Sequence, residues 1–262
     1  MDLGLKDRVV IVAASSRGIG QATAEAFAAE GCKLAICARS TQTLRLLAAS
    51  IAGKHHVPVH CEGLDVTDAA AVRQFVANVA SRFGGVDVCV TNAGGPPAKG
   101  FLATTAEDWQ QAVEQNLLSI VHFARAVIPL MQRKKWGRLL TITSLTVRQP
   151  VDQLVLSNAV RTGAVGLVKS LANEFGPDGI TVNNVGPGYT ATDRLKQLAR
   201  TQAQAAGVAE EEIFARWAAD SPLHRIARPE EVADAIVWLA SERASFITGQ
   251  TLLVDGGAYK GL

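Results

Sequence analysis

The stretch Val9-Val10-Ile11-Val12-Ala13-Ala14-Ser15-Ser16-Arg17-Gly18-Ile19-Gly20 decides the fold. Six apolar residues without a polar break fit a strand buried on both faces, as in a parallel sheet; a half-exposed strand would alternate. Two glycines follow within three positions, and a helical pattern runs from about Gly18 to Glu30, closing at Gly31. Glycine at such a turn lets the backbone approach a pyrophosphate, which rests on the N-terminus of the helix. A glycine loop alone is weak evidence; one joining a chain's first strand to its first helix is much stronger.

Beyond this unit, short apolar runs alternate with longer amphipathic stretches. The later strands are expected at Leu34–Ala38, Val57–Cys61, Val86–Val90, Arg138–Thr143, Thr181–Val185 and Leu252–Val254. Helices are expected at Thr41–Ala52, from the cap Asp68 to Arg82, over Glu107–Gln132 with an irregularity near Pro129, over Ser157–Glu174, and after Pro229. This alternation predicts a single α/β domain over residues 1–262: a doubly wound, Rossmann-type parallel sheet of seven strands with helices on both faces. The least regular stretch, Tyr189–Ser221, is Ala- and Gln-rich and is the expected substrate lid.

Composition narrows the function. The formal charge is +2, from 26 basic and 24 acidic residues, without a basic run of the kind a nucleic-acid groove needs. The sequence shows neither a signal-peptide pattern nor a membrane-spanning run, so a cytoplasmic protein is expected. Cys32, Cys37, Cys61 and Cys89 form no C-x-x-C pair and lie away from histidine at metal-ligand spacing. They read as small core residues in a reducing compartment, and no metal site is expected.

The end of the second strand carries Arg39 and Ser40 where an NAD-binding protein would usually place an acid for the ribose hydroxyl. A guanidinium suits a 2′-phosphate, and Arg17 in the glycine loop is a second candidate for it. NADP(H) is therefore expected rather than NAD(H).

These features resemble the short-chain dehydrogenase/reductase family, near its 3-oxoacyl-acyl-carrier-protein reductase-like branch. The resemblance covers nearly the whole chain. Ser16-Arg17-Gly18-Ile19-Gly20 matches the back of the family's TGxxxGIG loop, and Leu64-Asp65-Val66 its adenine-contacting segment. Asn92-Ala93-Gly94 matches NNAG, Pro187-Gly188-Tyr189 with Thr192 matches PGxxxT beside the nicotinamide, and Thr248-Gly249-Gln250 and Asp255-Gly256-Gly257 match the C-terminal end. The resemblance thus implies a cofactor site of Ser15, Ser16, Arg17, Gly18, Ile19, Gly20, Arg39, Ser40, Asp65, Val66, Asn92, Ala93, Gly94, Arg161, Pro187, Gly188 and Thr192. It also implies a homotetramer. Two departures fall in the cofactor segments: Ala13-Ala14 replaces the leading Thr-Gly, and Thr91 takes the first place of NNAG. Alanine resists the positive φ that glycine accepts.

For catalysis the family uses an asparagine, a serine, a tyrosine and a lysine. Asn116 and Ser144 match the first two. The Tyr-x-x-x-Lys pair does not appear: with the register set by Gly166-Leu167 and Lys169–Ala172, its positions fall on Ser157 and Arg161. A helical i, i+4 spacing keeps both on one face. A phenol of pKa near ~10 can be tuned by a neighbouring cation, an aliphatic hydroxyl does not ionise in that range, and arginine exchanges no proton near neutrality. Three replacements are open: a water held by Ser157, the phenol of Tyr189, or a substrate needing little acid help. The implied activity is NADP(H)-dependent interconversion of a carbonyl and a hydroxyl on a small molecule. The alternative is a cofactor-binding sensor or partner subunit without turnover.

Overall fold

The computed structural model describes residues 1–262. Seven parallel strands form one sheet: β1 (Val9–Ala13), β2 (Lys33–Ala38), β3 (Val59–Gly63), β4 (Val88–Thr91), β5 (Gly137–Ile142), β6 (Ile180–Pro187) and β7 (Thr251–Val254). Their spatial order is β3-β2-β1-β4-β5-β6-β7. Order reverses between β1 and β4, and at such a point the two flanking connections leave on opposite faces and open a crevice at the strands' carboxyl ends.

Side-chain alternation along the strands divides the core into two layers. Val10, Val12, Leu34, Ile36 and Val90 pack on one face under α1 (Gly18–Ala29), α2 (Thr41–His55) and α9 (Pro229–Ala240). Val9, Ile11, Ala35, Cys37 and Cys89 pack on the other under α3 (Ala69–Phe83), α5 (Ser119–Lys134) and α6 (Val155–Phe175). The four thiols are free, and burial pushes those of Cys32 and Cys37 up to about 12. Asp68 caps α3, accepting from Ala70 N and Ala71 N at 2.9 and 3.0 Å. Pro229 occupies the first turn of α9, where its missing N–H costs nothing.

Three local expectations need correction. β3 lies two residues later than its apolar content suggests, in register with β2 from Leu34↔Val59 to Ala38↔Gly63. The long helix is irregular not at Pro129, which lies inside α5, but at Glu114–Leu118, a π turn between α4 (Ala106–Val113) and α5. The stretch Tyr189–Ser221 is regular: α7 (Asp193–Ala206) and α8 (Glu210–Asp220) form a helical pair. Leu195, Ala199, Ala203, Ile213 and Trp217 give the pair a small core of its own. No helix is long and apolar enough to cross a membrane.

Candidate active site

At the carboxyl end of β1 the chain turns through Ala14 at φ 50° and Gly18 at φ 58° into α1. A Cβ on Gly20 would lie 2.4 Å from the Ala14 carbonyl oxygen, so only glycine fits there. Ser15 is buried; its backbone N and its hydroxyl donate to the Cys37 carbonyl at 3.2 and 3.4 Å, tying the loop to β2. Its side chain is thus spent on the scaffold. Arg17 precedes α1 in extended conformation and makes no side-chain cap, and the first turn holds no acid. The leading N–H groups and the positive end of the helix dipole are left for an external anion.

Arg39 is exposed just past β2, beside Ser40, whose hydroxyl accepts from Thr43 N and caps α2. Arg39 also faces Asp65. That carboxyl is held below its ordinary range first by the Thr67 N–H, then by the Thr67 hydroxyl and the Arg39 charge. Arg17 reaches across to α7, with Nη1 at 3.9 Å from Asp193 Oδ2. Thr192 caps α7 by accepting from Leu195 N, and its Cγ2 lies 3.2 Å from the place of a Cβ on Gly18. The N-termini of α1 and α7 therefore converge on one groove, to which Arg17, Gly18, Asp193 and Lys196 contribute. Pro187 and Gly188 close β6 at the same end of the sheet, where a Cβ on Gly188 would meet Asp255 Cα at 2.8 Å. Val66 is buried, and its carbonyl oxygen lies 3.2 Å from His122 Nδ1. Asn92, Ala93 and Gly94 follow β4, and a Cβ on Gly94 would lie 3.1 Å from Gln115 Nε2.

The catalytic candidates meet at the ends of β5 and α6. Asn116 sits in the π turn, 5% exposed; its Nδ2 donates to Ala112 O at 3.3 Å, which aims Oδ1 away from its own helix. Arg161 Nε donates to that oxygen at 3.1 Å, and Arg161 Nη1 donates to the Thr143 carbonyl. A π turn widens the helix by one residue and commonly marks a functional position. Burial, then the charge of Arg194, brings the Arg161 pKa down to about 10, so it stays cationic at neutral pH.

Ser144, just beyond β5, accepts from Thr146 N at 3.2 Å, which leaves its own hydroxyl proton available. Ser157 is buried, with its hydroxyl 3.1 Å from that of Thr146. Thr146, which the sequence reading missed, touches both: its backbone N–H donates to the Ser144 hydroxyl and its own hydroxyl lies beside that of Ser157. Asn158 clamps the same loop, accepting from Val151 N and donating to Val151 O at 3.3 and 3.0 Å. Arg194 was also missed; its Nη2 donates to Pro96 O at 2.6 Å.

Tyr189 is engaged elsewhere. Its ring stacks on Trp217 with centroids 4.9 Å apart and planes 14° apart. Burial, then Asp220, pushes its phenol up to about 12, opposite to the lowering a neighbouring cation would give.

A dinucleotide-type crevice with polar side chains converging at the carboxyl ends of parallel strands is the place where an α/β dinucleotide-binding enzyme carries its chemistry. The family described as Enoyl-(Acyl carrier protein) reductase matches residues 13–259. The 3-oxoacyl-acyl-carrier-protein reductase of Escherichia coli K12 is 33% identical over 259 residues, covering 98% of this chain and 99% of that protein. That of Aquifex aeolicus is 31% identical, covering 99% and 100%. The solved structure of L-sorbose reductase from Gluconobacter frateurii, complexed with NADPH and L-sorbose, superposes with a TM-score of 0.95 at 33% identity, covering both chains fully. The chain belongs to the short-chain dehydrogenase/reductase family, in its 3-oxoacyl-acyl-carrier-protein reductase-like branch.

Proposed function

We propose that this chain is an NADP(H)-dependent carbonyl reductase, or alcohol dehydrogenase in the reverse direction, acting on a small molecule. The observation that carries this is the Arg161 fork, bonded to Asn116 and to the Thr143 carbonyl just beyond β5. In the sequence register, Arg161 corresponds to the family's ribose-holding lysine.

NADPH, when bound, supplies the hydride. The free N–H groups of α1 suit its pyrophosphate, and Arg39 beside the N-terminus of α2 suits the 2′-phosphate, with Arg17 as a second cation. Ser16, Gly18, Ile19 and Gly20 shape the loop; Asp65 and Val66 flank the adenine side, and Asn92, Ala93, Gly94, Pro187, Gly188 and Thr192 flank the nicotinamide side. Arg161 holds the ribose. The Ser144 hydroxyl donates to the substrate oxygen, and the charge of Arg161 favours negative charge developing there. Ser157, through its link to Thr146, positions a water that delivers the proton. The pair α7–α8 is proposed to close over the substrate, and we place the protein in the cytoplasm as a homotetramer.

The test of cofactor choice is Arg39→Ala. Losing a charge-assisted contact to the 2′-phosphate raises the NADPH KM by about 10- to 100-fold. The NADH value stays within about twofold, because NADH has no phosphate for Arg39 to hold. An equal change in both refutes the assignment.

The second reading, a non-catalytic NADP(H)-binding subunit, is favoured by Ser157 and Arg161 themselves, neither of which is a proton donor near neutrality. Deuteride transfer from labelled NADPH to a mixed carbonyl panel separates the two. Tight NADPH binding without label in any product selects the binder.

A further inference from the structure

We propose that the substrate carries a carboxylate, held between Arg161 and Arg194. The inference rests on the carbonyl-reductase reading and narrows it to oxo acids and hydroxy acids.

Arg194 lies in the first turn of α7, and Arg161 on α6. Both guanidinium groups approach a single point. A Cβ on Gly95 would lie 3.5 Å from Arg194 Nε, 3.7 Å from Arg194 Nη2 and 3.7 Å from Arg161 Nη2. Neither cation has a carboxylate within 4.0 Å, although twelve ion pairs occur elsewhere in the chain. Two like charges converging without a counter-ion repel each other, and an anion between them reverses the sign of the interaction.

The donors left over define the shape of that anion. Arg161 spends Nε on Asn116 and Nη1 on Thr143, leaving the two hydrogens of Nη2, one for the cofactor ribose and one for the substrate. Arg194 spends Nη2 on Pro96 O, leaving Nε and Nη1. Their backbone partners fix both guanidinium groups in place, and planar forks of this kind match the two oxygens of a carboxylate.

The position argues against a cofactor phosphate as the anion. The pyrophosphate site is the uncapped start of α1, beside Gly18 and Thr192. Arg194 instead leans toward Gly95 and Pro96 after β4, the side where Arg161 and Asn116 stand. Its residue is exposed, so the pair is open at the rim to an incoming charged molecule. A neutral thioester would leave both cations unanswered.

The experiment uses the purified full chain with NADPH and a panel of 2-oxo and 3-oxo acids of about four to eight carbons, each beside its methyl ester. The acids are expected to exceed their esters in kcat/KM by about tenfold or more. Arg194→Met collapses that ratio toward one by raising KM for the acids; Arg194→Lys keeps part of it. NADPH affinity, read separately by fluorescence titration, stays within about threefold in both variants. Esters matching acids in the wild type overturn the proposal. So does a loss of NADPH affinity in Arg194→Met equal to the loss in kcat/KM, because the cation then serves the cofactor. If no member of the panel turns over, calorimetry of the NADPH complex with oxamate decides. Binding that Arg194→Met abolishes upholds the carboxylate site while the reductase reading fails; absence of binding refutes the site as well.

Discussion

Replacing Ser157 by alanine separates what its hydroxyl does for the fold from what it does for the chemistry. Ser157 and Thr146 are 6% and 4% exposed, with their hydroxyl oxygens 3.1 Å apart. The change strands the Thr146 hydroxyl, and a buried hydroxyl without a partner costs about 1–3 kcal/mol. For a chain of this size that lowers Tm by about 2–6 °C in calorimetry, which leaves a folded protein to assay. The catalytic effect is larger: positioned proton delivery is worth about 10²–10⁴ in rate, so kcat is expected to fall by at least about 10²-fold. The NADPH dissociation constant should stay within about twofold, since Ser157 holds no part of the cofactor in this scheme. Tyr189→Phe is the control. It keeps the stack on Trp217 and removes only a phenol whose pKa is pushed up to about 12, so turnover stays within about twofold. Tyr189→Phe slower than Ser157→Ala, or Ser157→Ala at wild-type turnover, would refute the bound-water scheme.

Other expectations follow from particular residues. Ala14 is held at φ 50°, a conformation that costs an L-residue about 1–2 kcal/mol, so Ala14→Gly should raise Tm by about 2 °C after glycine's extra chain entropy is deducted; a fall would mean that the methyl group packs usefully. The catalytic cluster has no group titrating near neutrality: Asn116, Ser144, Thr146 and Ser157 do not ionise there, and Arg161 loses its charge only as pH rises through about 10. The kcat for reduction should therefore be flat from about pH 6 to about pH 9, and a bell-shaped profile in that range would reveal an acid or base outside this cluster. At the far end of the sheet Trp136 lies between the guanidinium groups of Arg8 and Arg138, at 3.7 and 4.2 Å from its ring centroid. Arg138 is 3% exposed, so Trp136→Leu should cost about 2–4 kcal/mol and about 4–8 °C in Tm, without change in NADPH affinity; a loss under about 1 °C would show the sandwich to be incidental.

The fold was legible because its strands are unbroken apolar runs. Val9–Ala13 and Leu34–Ala38 can only be buried on both faces, which requires helices on both sides of a parallel sheet. The π turn was not legible: Glu114–Leu118 has an ordinary helical composition. The helices of Tyr189–Ser221 show in the sequence only as weak helical character, although their end signals are present. Thr192 is an N-cap, Gly207 at φ 67° is a left-handed stop, and Glu210-Glu211-Glu212 favours a helix N-terminus. Low overall hydropathy hid them, because their apolar stripe covers only a small local core. Thr146 and Arg194 carry no motif of their own. Each matters through a contact across the sequence, Thr146 with Ser157 and Arg194 with the loop after β4.

Ser157 and Arg161 are best understood as a single change. A tyrosine donor needs a nearby cation to lower its pKa, and a lysine serves because its charge is compact and mobile. Once the phenol is replaced by a hydroxyl that does not ionise, no pKa remains to tune, and the cation is free to become a fixed one. Arg161 is fixed: Asn116 and Thr143 hold two of its nitrogens, while the third faces Gly95 and Arg194. Preorganised charge of this kind stabilises a developing alkoxide because it needs no reorganisation as negative charge appears. The proton comes from the water that Ser157 positions through its link to Thr146. In this scheme the family's ionisable pair gives way to a fixed positive charge and a bound water. The field that steadies the alkoxide also draws a carboxylate into the crevice, so substrate choice and catalysis depend on the same two arginines.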